Sequence, residues 1–143
     1  MKILDLNILL YAVDQGALHH ETAKRQLEDV LSSRESVGFP WVVLLGFLRI
    51  STNRKIFPNA LTTEQAAGIV DGWLSLPIVH VLEPGPGHWV LLKGLLKNGE
   101  VTGDMVTDAH LAALALEHDA ELISTDSDFA RFDQLKWTNP LNE

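Results

Sequence analysis

Short apolar segments alternate with amphipathic segments along the chain, and this alternation restricts the fold more than any other feature. The apolar segments are short enough to be buried strands. The segments between them place apolar residues three or four positions apart, as helices do. Strands that alternate with helices pair in parallel, and helices cover both faces of their sheet. The sequence therefore predicts an α/β fold on a mainly parallel sheet of about five short strands.

The ends of the predicted elements follow from proline, glycine and capping residues. Pro40 is well placed to begin a helix, Thr62 or Thr63 can cap another, and the PGPG segment closes a strand. We expect strands at 2–5, 36–39, 78–82, 121–125 and 135–139, helices at 7–13, 19–33, 41–52, 62–76, 88–99 and 104–120, and a helical turn at 127–132.

Composition limits the classes of protein that fit. The 143 residues suffice for one domain with a sizeable core, and the absence of cysteine excludes disulfides, thiolate metal sites and a cysteine nucleophile. The chain begins without a signal peptide and has no apolar stretch of ~20 residues, so we expect a cytoplasmic protein with no membrane association. A net charge of -8 argues against nucleic-acid binding through bulk positive charge. It still allows a metal-dependent nuclease, and it suits a basic protein partner.

Aspartates gather at the ends of two predicted strands and at the start of one predicted helix. Asp5 ends the first strand, and Asp126 and Asp128 follow the strand at 121–125. Asp104 and Asp108 lie about one helical turn apart, so they share a helix face. Because sites in open parallel sheets lie beyond the carboxyl ends of strands, we expect these side chains to meet.

Carboxylates that meet in this way need protons or a cation. Two like charges ~4 Å apart repel by roughly 4 kcal/mol at an effective dielectric constant of ~20. No cysteine and no His-x-x-x-His pair accompany these acids, and all-oxygen ligation favours the hard ions Mg²⁺ and Mn²⁺. Such ions activate water and offset the charge that develops in phosphodiester cleavage.

Four motifs occur together in this chain: D-x-N at the end of the first strand, the F-L-R of GFLRIST, the helix TDAHLAALA, and STDSDFARF. Together they resemble the PIN domain, and more narrowly the VapC-type toxin ribonucleases of bacterial toxin–antitoxin pairs. The resemblance runs from Lys2 to about Leu141. It implies that residues 1–143 form a single PIN-like nuclease domain, an α/β/α sandwich on a parallel sheet.

The resemblance also implies roles for the acids. Asp5, Asp108 and Asp126 match the acidic positions of the family, with Asp128 as the adjacent auxiliary acid. These residues would bind Mg²⁺ or Mn²⁺ and position a water for attack on an RNA phosphodiester. Asp5 and Asp108 are the first candidates for direct ligands.

Polar neighbours of the acids receive supporting roles from the same resemblance. Asn7 would orient Asp5 or the attacking water through a hydrogen bond. Ser124 or Thr125 would fix the end of its strand in a similar way. Arg49 would contact the acidic site or a phosphate, although a solvated helix charge is the alternative.

Position 46 departs from the family pattern. The family usually carries a glutamate three residues before the arginine of this helix, and here Gly46 stands before Arg49. The missing carboxylate lowers the charge of the site and weakens any second metal position. Three alternatives follow: a one-metal enzyme, a site completed by Asp104 as a metal ligand, or a weakened enzyme. We favour the first two together.

Several candidates also have a purely structural explanation. Asp5 would stabilise the following helix by about 1 kcal/mol as an N-cap, but the other acids at matching places favour metal binding. For Asp104 we favour a charge that suits the positive end of the helix dipole over metal ligation. Asp128 would cap the helical turn, with or without a role in the site.

Three functions compete on this evidence. The first is a metal-dependent endoribonuclease toxin that cleaves tRNA or rRNA, forms a homodimer and binds a small antitoxin, which is basic in the segment that enters the site. The second is a catalytically weakened PIN-like module that mainly binds an antitoxin, and Gly46 motivates it. The third is a phosphatase with a strand-end aspartate as nucleophile. It ranks last because the general acid expected two residues after Asp5 is replaced by Asn7.

Overall fold

The computed structural model describes residues 1–142. Its strands form one five-stranded sheet in the order β3-β2-β1-β4-β5, and every pair of neighbours is parallel. The predicted α/β fold with a parallel sheet is thereby confirmed. The strands are β1 (Lys2–Leu4), β2 (Val37–Pro40), β3 (Val79–Leu82), β4 (Glu121–Ile123) and β5 (Lys136–Thr138).

Each predicted helix is present, with ends that differ by a few residues. Thr62 caps its helix in a capping box with Gln65, so the first of the two candidate threonines is the cap. No helix within residues 1–142 is both long enough and apolar enough to span a bilayer. The helices are α1 (Leu6–Val13), α2 (His20–Leu31), α3 (Trp41–Ser51), α4 (Thr63–Leu74), α5 (His88–Asn98) and α6 (Met105–Glu117), with 3-10 turns at Ser127–Arg131 and Pro140–Asn142.

The connections between strands place helices on both faces of the sheet. The chain moves outward from β1 through β2 to β3, and then crosses back to β4. Because such crossovers are right-handed, α5 and α6 cover the face opposite to the helices of the first two connections. In agreement, α1 packs on α2 and α3, α3 packs on α4, and α5 packs on α6. The direction of winding reverses between β1 and β4, which is where open α/β sheets bind ligands.

The neighbouring strands β1 and β4 lie in the hydrophobic core, which holds in place the strand ends where the site residues begin. In β1 and β4, Ile3, Leu4 and Leu122 are 0% exposed and Ile123 is 1% exposed. Helix α6 packs against β4 and 3-10 turn 127–131, and small side chains let it approach closely. Its buried alanines are Ala109, Ala112, Ala113 and Ala115.

Strand β4 ends at Ile123, earlier than the sequence predicted. The Ser124 backbone N–H still donates to the Thr138 carbonyl (3.0 Å), but the Ser124 hydroxyl accepts a hydrogen bond from the Asp126 N–H (3.0 Å). This side-chain bond competes with strand geometry and turns the chain. The turn brings Ser124 and Asp126 to the carboxyl edge of the sheet beside Asp5.

Candidate active site

Asp5 lies where β1 ends and α1 begins, at the middle of the carboxyl edge of the sheet. Its backbone N–H donates to the Ile123 carbonyl of β4 (2.9 Å). Its Oδ1 accepts from the Leu6 N–H (2.7 Å), and its Oδ2 accepts from the Ser124 hydroxyl (2.6 Å). Asp5 is therefore both the N-cap of α1 and a carboxylate held in one orientation by the neighbouring strand.

Ser124 is the hub of the hydrogen bonds around Asp5. It is 0% exposed, and its hydroxyl donates to Asp5 while accepting from the Asp126 N–H and from Nδ2 of Asn7 (3.4 Å). The indole Nε1 of Trp137 donates to the Ser124 carbonyl (3.0 Å). Of the two neighbouring hydroxyl residues named from the sequence, Ser124 contacts Asp5. The support from Trp137 had no signal in the sequence.

Asn7 reaches Asp5 only through Ser124. Its Nδ2 donates to the serine hydroxyl, and its Oδ1 is buried without a hydrogen-bond partner among residues 1–142. Buried polar oxygens are normally satisfied, so this acceptor is available to a water or another donor. Asn7 therefore combines a positioning contact with a free acceptor oxygen.

Three further aspartates converge beside this pair. Asp108, Asp126 and Asp128 each offer a carboxylate oxygen, and these three oxygens lie within 4.8 Å of one another. Oδ1 of Asp126 accepts from the Asp128 N–H (2.9 Å), so Asp126 rather than Asp128 caps the 3-10 turn. Asp108 lies in the first turn of α6. The structure thus brings residues far apart in the sequence to one place.

Crowding and burial make the negative charges of this site unfavourable. Burial is the largest cause of the raised pKa of Asp5, the Ser124 hydrogen bond opposes it, and the Asp126 charge adds to it. Burial, followed by the charges of Asp126, Asp5 and Asp128, raises the pKa of Asp108 to about 6. Carboxylates whose pKa values are raised in this way are stabilised by protons or by a cation.

Arg131 is the cation among the groups that shift the pKa of Asp108, and it lowers that pKa. It closes the 3-10 turn 127–131, and its Nε donates to the Asp128 carbonyl (3.3 Å). Arg131 was not predicted as a site residue from the sequence, although it stands inside the STDSDFARF motif. Arg49 was the named candidate, and it is exposed with no ion pair in the described part of the chain.

Asp104 and Gly46 lie at the margin of the site. Asp104 is the exposed N-cap residue of α6, makes no side-chain capping bond, and is outside the group of three converging aspartates. Gly46 is buried in α3, and a Cβ there would lie 2.7 Å from Cδ2 of Leu6. A longer side chain at position 46 would therefore displace Leu6, the residue next to Asp5.

The donor set fits a hard divalent cation. The donors that converge here are all carboxylates. The raised pKa values of Asp5 and Asp108 indicate negative charge that the protein does not neutralise itself. A carboxylate site of this kind is suited to binding Mg²⁺ or Mn²⁺ beside a phosphate group.

Related proteins are similar to this chain over nearly its full length. Ribonuclease VapC37 of Mycobacterium tuberculosis is 43% identical over 140 residues, which cover 98% of this chain and 97% of that protein. Ribonuclease VapC33 of the same species is 42% identical over 143 residues, which cover 100% of both chains. The PIN domain family matches residues 2–135.

Solved structures share the fold. VapBC2 from Rickettsia felis, bound to a DNA fragment from its promoter, has a TM-score of 0.68 at 21% identity and covers 96% of this chain and 97% of that chain. VapBC-1 from nontypeable Haemophilus influenzae has a TM-score of 0.67 at 19% identity and covers 98% of each chain. The family match and the sequence relatives show that the chain belongs to the PIN domain family, among its VapC-type members.

Proposed function

We propose that this protein is a metal-dependent endoribonuclease and the toxin component of a toxin–antitoxin pair. The observation that carries the proposal is the convergence of Asp108, Asp126 and Asp128 within 4.8 Å, beside the Ser124-held Asp5. The names of the VapC relatives support RNA as the substrate. We propose tRNA or rRNA as its class, cleaved at an internal phosphodiester.

Asp5, Asp108 and Asp126 would hold Mg²⁺ or Mn²⁺, with Asp128 as an auxiliary acid and Asp104 as the more distant candidate ligand. When bound, the ion supplies an activated water and offsets the charge of the cleaved phosphodiester. The raised pKa values of Asp5 and Asp108 support this assignment, since a cation would relieve the repulsion that raises them.

The polar residues beside the acids prepare the site for this chemistry. Ser124 holds the Asp5 carboxylate through Oδ2, so that carboxylate enters the reaction in a fixed orientation. The unpartnered Oδ1 of Asn7 would accept a hydrogen bond from the attacking water.

A protein partner follows from the same proposal. The solved neighbours are VapBC assemblies, and one of them carries promoter DNA. We propose that a small antitoxin binds this chain and covers the acidic site with a basic segment, for which a net charge of -8 is suited. We also propose that the chain forms a homodimer.

A second candidate function is a weakened PIN-like module that mainly binds its antitoxin. It is favoured by Gly46, which supplies no carboxylate and packs against Leu6 at the edge of the site. Under this alternative the purified protein binds Mn²⁺ weakly and cleaves no RNA. Under the endoribonuclease proposal, the remaining acids suffice for cleavage with one bound ion.

The test is cleavage of cellular RNA by the purified protein with Mg²⁺ or Mn²⁺, followed by sequencing of the new RNA ends. We expect discrete cleavage sites, loss of cleavage with EDTA, and loss in Asp5→Asn with the fold retained. Asp71→Asn is the matched control, because Asp71 is exposed on α4 away from the strand ends. Cleavage by Asp5→Asn at the rate of the parent would refute the proposed site.

A further inference from the structure

Arg131 links two segments that carry acids of the site. Its Nε donates to the Asp128 carbonyl (3.3 Å) within 3-10 turn 127–131, and its Nη1 donates to the Gly99 carbonyl (3.1 Å) at the end of α5. The first segment carries Asp126 and Asp128, and the second leads into α6 and Asp108. One half-buried guanidinium therefore joins the two segments.

The segment that receives this contact has a constrained backbone. Glu100 and Gly103 have positive φ angles of 51° and 61°, a region that costs energy for residues other than glycine. The Val101 N–H donates to the Leu96 carbonyl (3.0 Å), which closes the end of α5. This backbone conformation fixes where α6 begins, and with it the position of Asp108 in the first turn.

Gly99, whose carbonyl accepts from Arg131, lies in closely packed surroundings. A Cβ at Gly99 would lie 2.9 Å from the Leu95 carbonyl oxygen and 3.2 Å from Cε1 of Phe132. Phe132 is 4% exposed and directly follows Arg131. Gly99 therefore packs closely against the side chain of Phe132, and the hydrogen bonds of Arg131 join the same two segments.

We propose that Arg131 is a positioning residue, which fixes the turn carrying Asp126 and Asp128 against the helix carrying Asp108 so that their carboxylates bind one cation together. This inference rests on the proposed metal-dependent function. Arginine suits the task because its planar fork donates in two directions from one rigid group. Its charge also reaches the cluster, since it lowers the pKa of Asp108.

Two other roles for Arg131 make opposite predictions. If the guanidinium were only a counter-charge for the acids, its removal would leave more negative charge and Mn²⁺ would bind more tightly. If it were a contact for RNA phosphate, its removal would raise KM for RNA most at low salt, would weaken the salt dependence of KM, and would leave Mn²⁺ affinity unchanged.

The experiment measures Mn²⁺ affinity by calorimetry, and amide hydrogen exchange of residues 99–104 in metal-free protein, for Arg131→Ala and Arg131→Lys. We expect the Mn²⁺ dissociation constant to rise about tenfold or more in both variants, and exchange in the 99–104 segment to become faster. Lysine keeps the charge but loses the fork, so it should not restore affinity. Arg34→Ala, at an exposed arginine between α2 and β2, is the control.

Cleavage assays separate this inference from the proposed function. In the positioning role, kcat at saturating Mn²⁺ falls in both variants, while KM for RNA stays within about twofold of the parent value. Tighter Mn²⁺ binding by Arg131→Ala, or unchanged binding in both variants, would overturn the inference even if the parent cleaves RNA. A parent that binds Mn²⁺ but cleaves no RNA would overturn the proposed function, and the affinity comparison would still decide the role of Arg131.

Discussion

Two carboxylates near opposite ends of α6 differ in how the protein treats their charge. Near the C-terminal end, both oxygens of Glu117 have donors: Oε1 is hydrogen-bonded to Nδ1 of His88, and Oε2 accepts from the Gly85 N–H (2.8 Å). Nε2 of His88 is in turn hydrogen-bonded to Nδ1 of His110 (2.8 Å). Near the N-terminal end, Asp108 lies among other carboxylates instead of donors.

The pKa values of the two groups move in opposite directions. Burial opposes the charge of Glu117, but the hydrogen bonds from His88 and Gly85 outweigh it and lower the pKa of Glu117. Burial and neighbouring acids raise the pKa of Asp108 to about 6. A carboxylate that the protein satisfies is part of its structure, whereas a group of unsatisfied carboxylates requires something from outside, and we infer that this is a metal ion.

Replacement of Asp108 should have the largest effect. We expect Asp108→Asn to lower RNA cleavage by about 100-fold or more, because the cation loses a charged ligand that no neighbour replaces. In the absence of metal the same variant should be more stable than the parent by about 1 kcal/mol at pH 7, since repulsion is relieved. Cleavage rates and urea unfolding measure the two effects, and a destabilised, fully active variant would contradict both.

Removal of the Glu117 carboxylate, which has hydrogen-bond donors for both oxygens, should lower stability and leave metal binding unchanged. Glu117→Ala leaves the His88 and Gly85 donors without an acceptor, so we expect the free energy of unfolding to fall by about 2 kcal/mol. Mn²⁺ affinity should stay at the value of the parent. Asp119→Ala is the control, since the pair of Asp119 with Lys136 is exposed and contributes little. A large loss of Mn²⁺ affinity in Glu117→Ala would mean that the two ends of α6 are coupled.

Ser124→Ala tests the side-chain donor that orients Asp5 in the acidic site. The change removes the hydrogen bond to Oδ2 of Asp5 and leaves the Asp5 carboxylate less well oriented. We expect Mn²⁺ affinity to fall about tenfold, as for other residues that orient a metal ligand. Thr125→Ala is the neighbouring control. Calorimetry that shows equal losses in the two variants would argue against a specific role for Ser124.

The stability of the metal-free protein should depend on pH through Asp108, near the N-terminal end of α6. Because the folded state raises the pKa of Asp108 from 3.8 to about 6, it binds that proton more tightly than the unfolded state does. This contribution to metal-free stability is complete below about pH 4 and is lost as the pH rises through about 6. With about half of the group solvent-screened, the loss is about 1 kcal/mol. Urea unfolding of the parent minus Asp108→Asn isolates it, and a difference that stays constant over this range would contradict it.

The sequence predicted the fold because its signals are local. Apolar runs, Pro40 and Thr62 mark strands and helix starts without knowledge of the tertiary structure. The acids were also found, because parallel topology places Asp5 and Asp126 at one edge of the sheet. Their assignment as catalytic or metal-binding residues stays a prediction.

What the sequence did not reveal depends on contacts between distant segments. Nothing in its local surroundings distinguishes Ser124 from Thr125 until β1 and β4 lie side by side. Arg131 donates to a carbonyl 32 positions away, and His88 meets Glu117 at a separation of 29. No spacing rule predicts such pairs, since they arise from the packing of α5, α6 and the 3-10 turn 127–131.

Unfolding with and without Mn²⁺, in the parent and in Asp108→Asn, tests the central claim most directly. We expect a free Mn²⁺ concentration 100 times the dissociation constant to raise the free energy of unfolding of the parent by about 2.7 kcal/mol. Asp108→Asn should start more stable and gain much less from the ion. If Mn²⁺ left the parent unchanged, or stabilised both proteins equally, these carboxylates would not form a metal site.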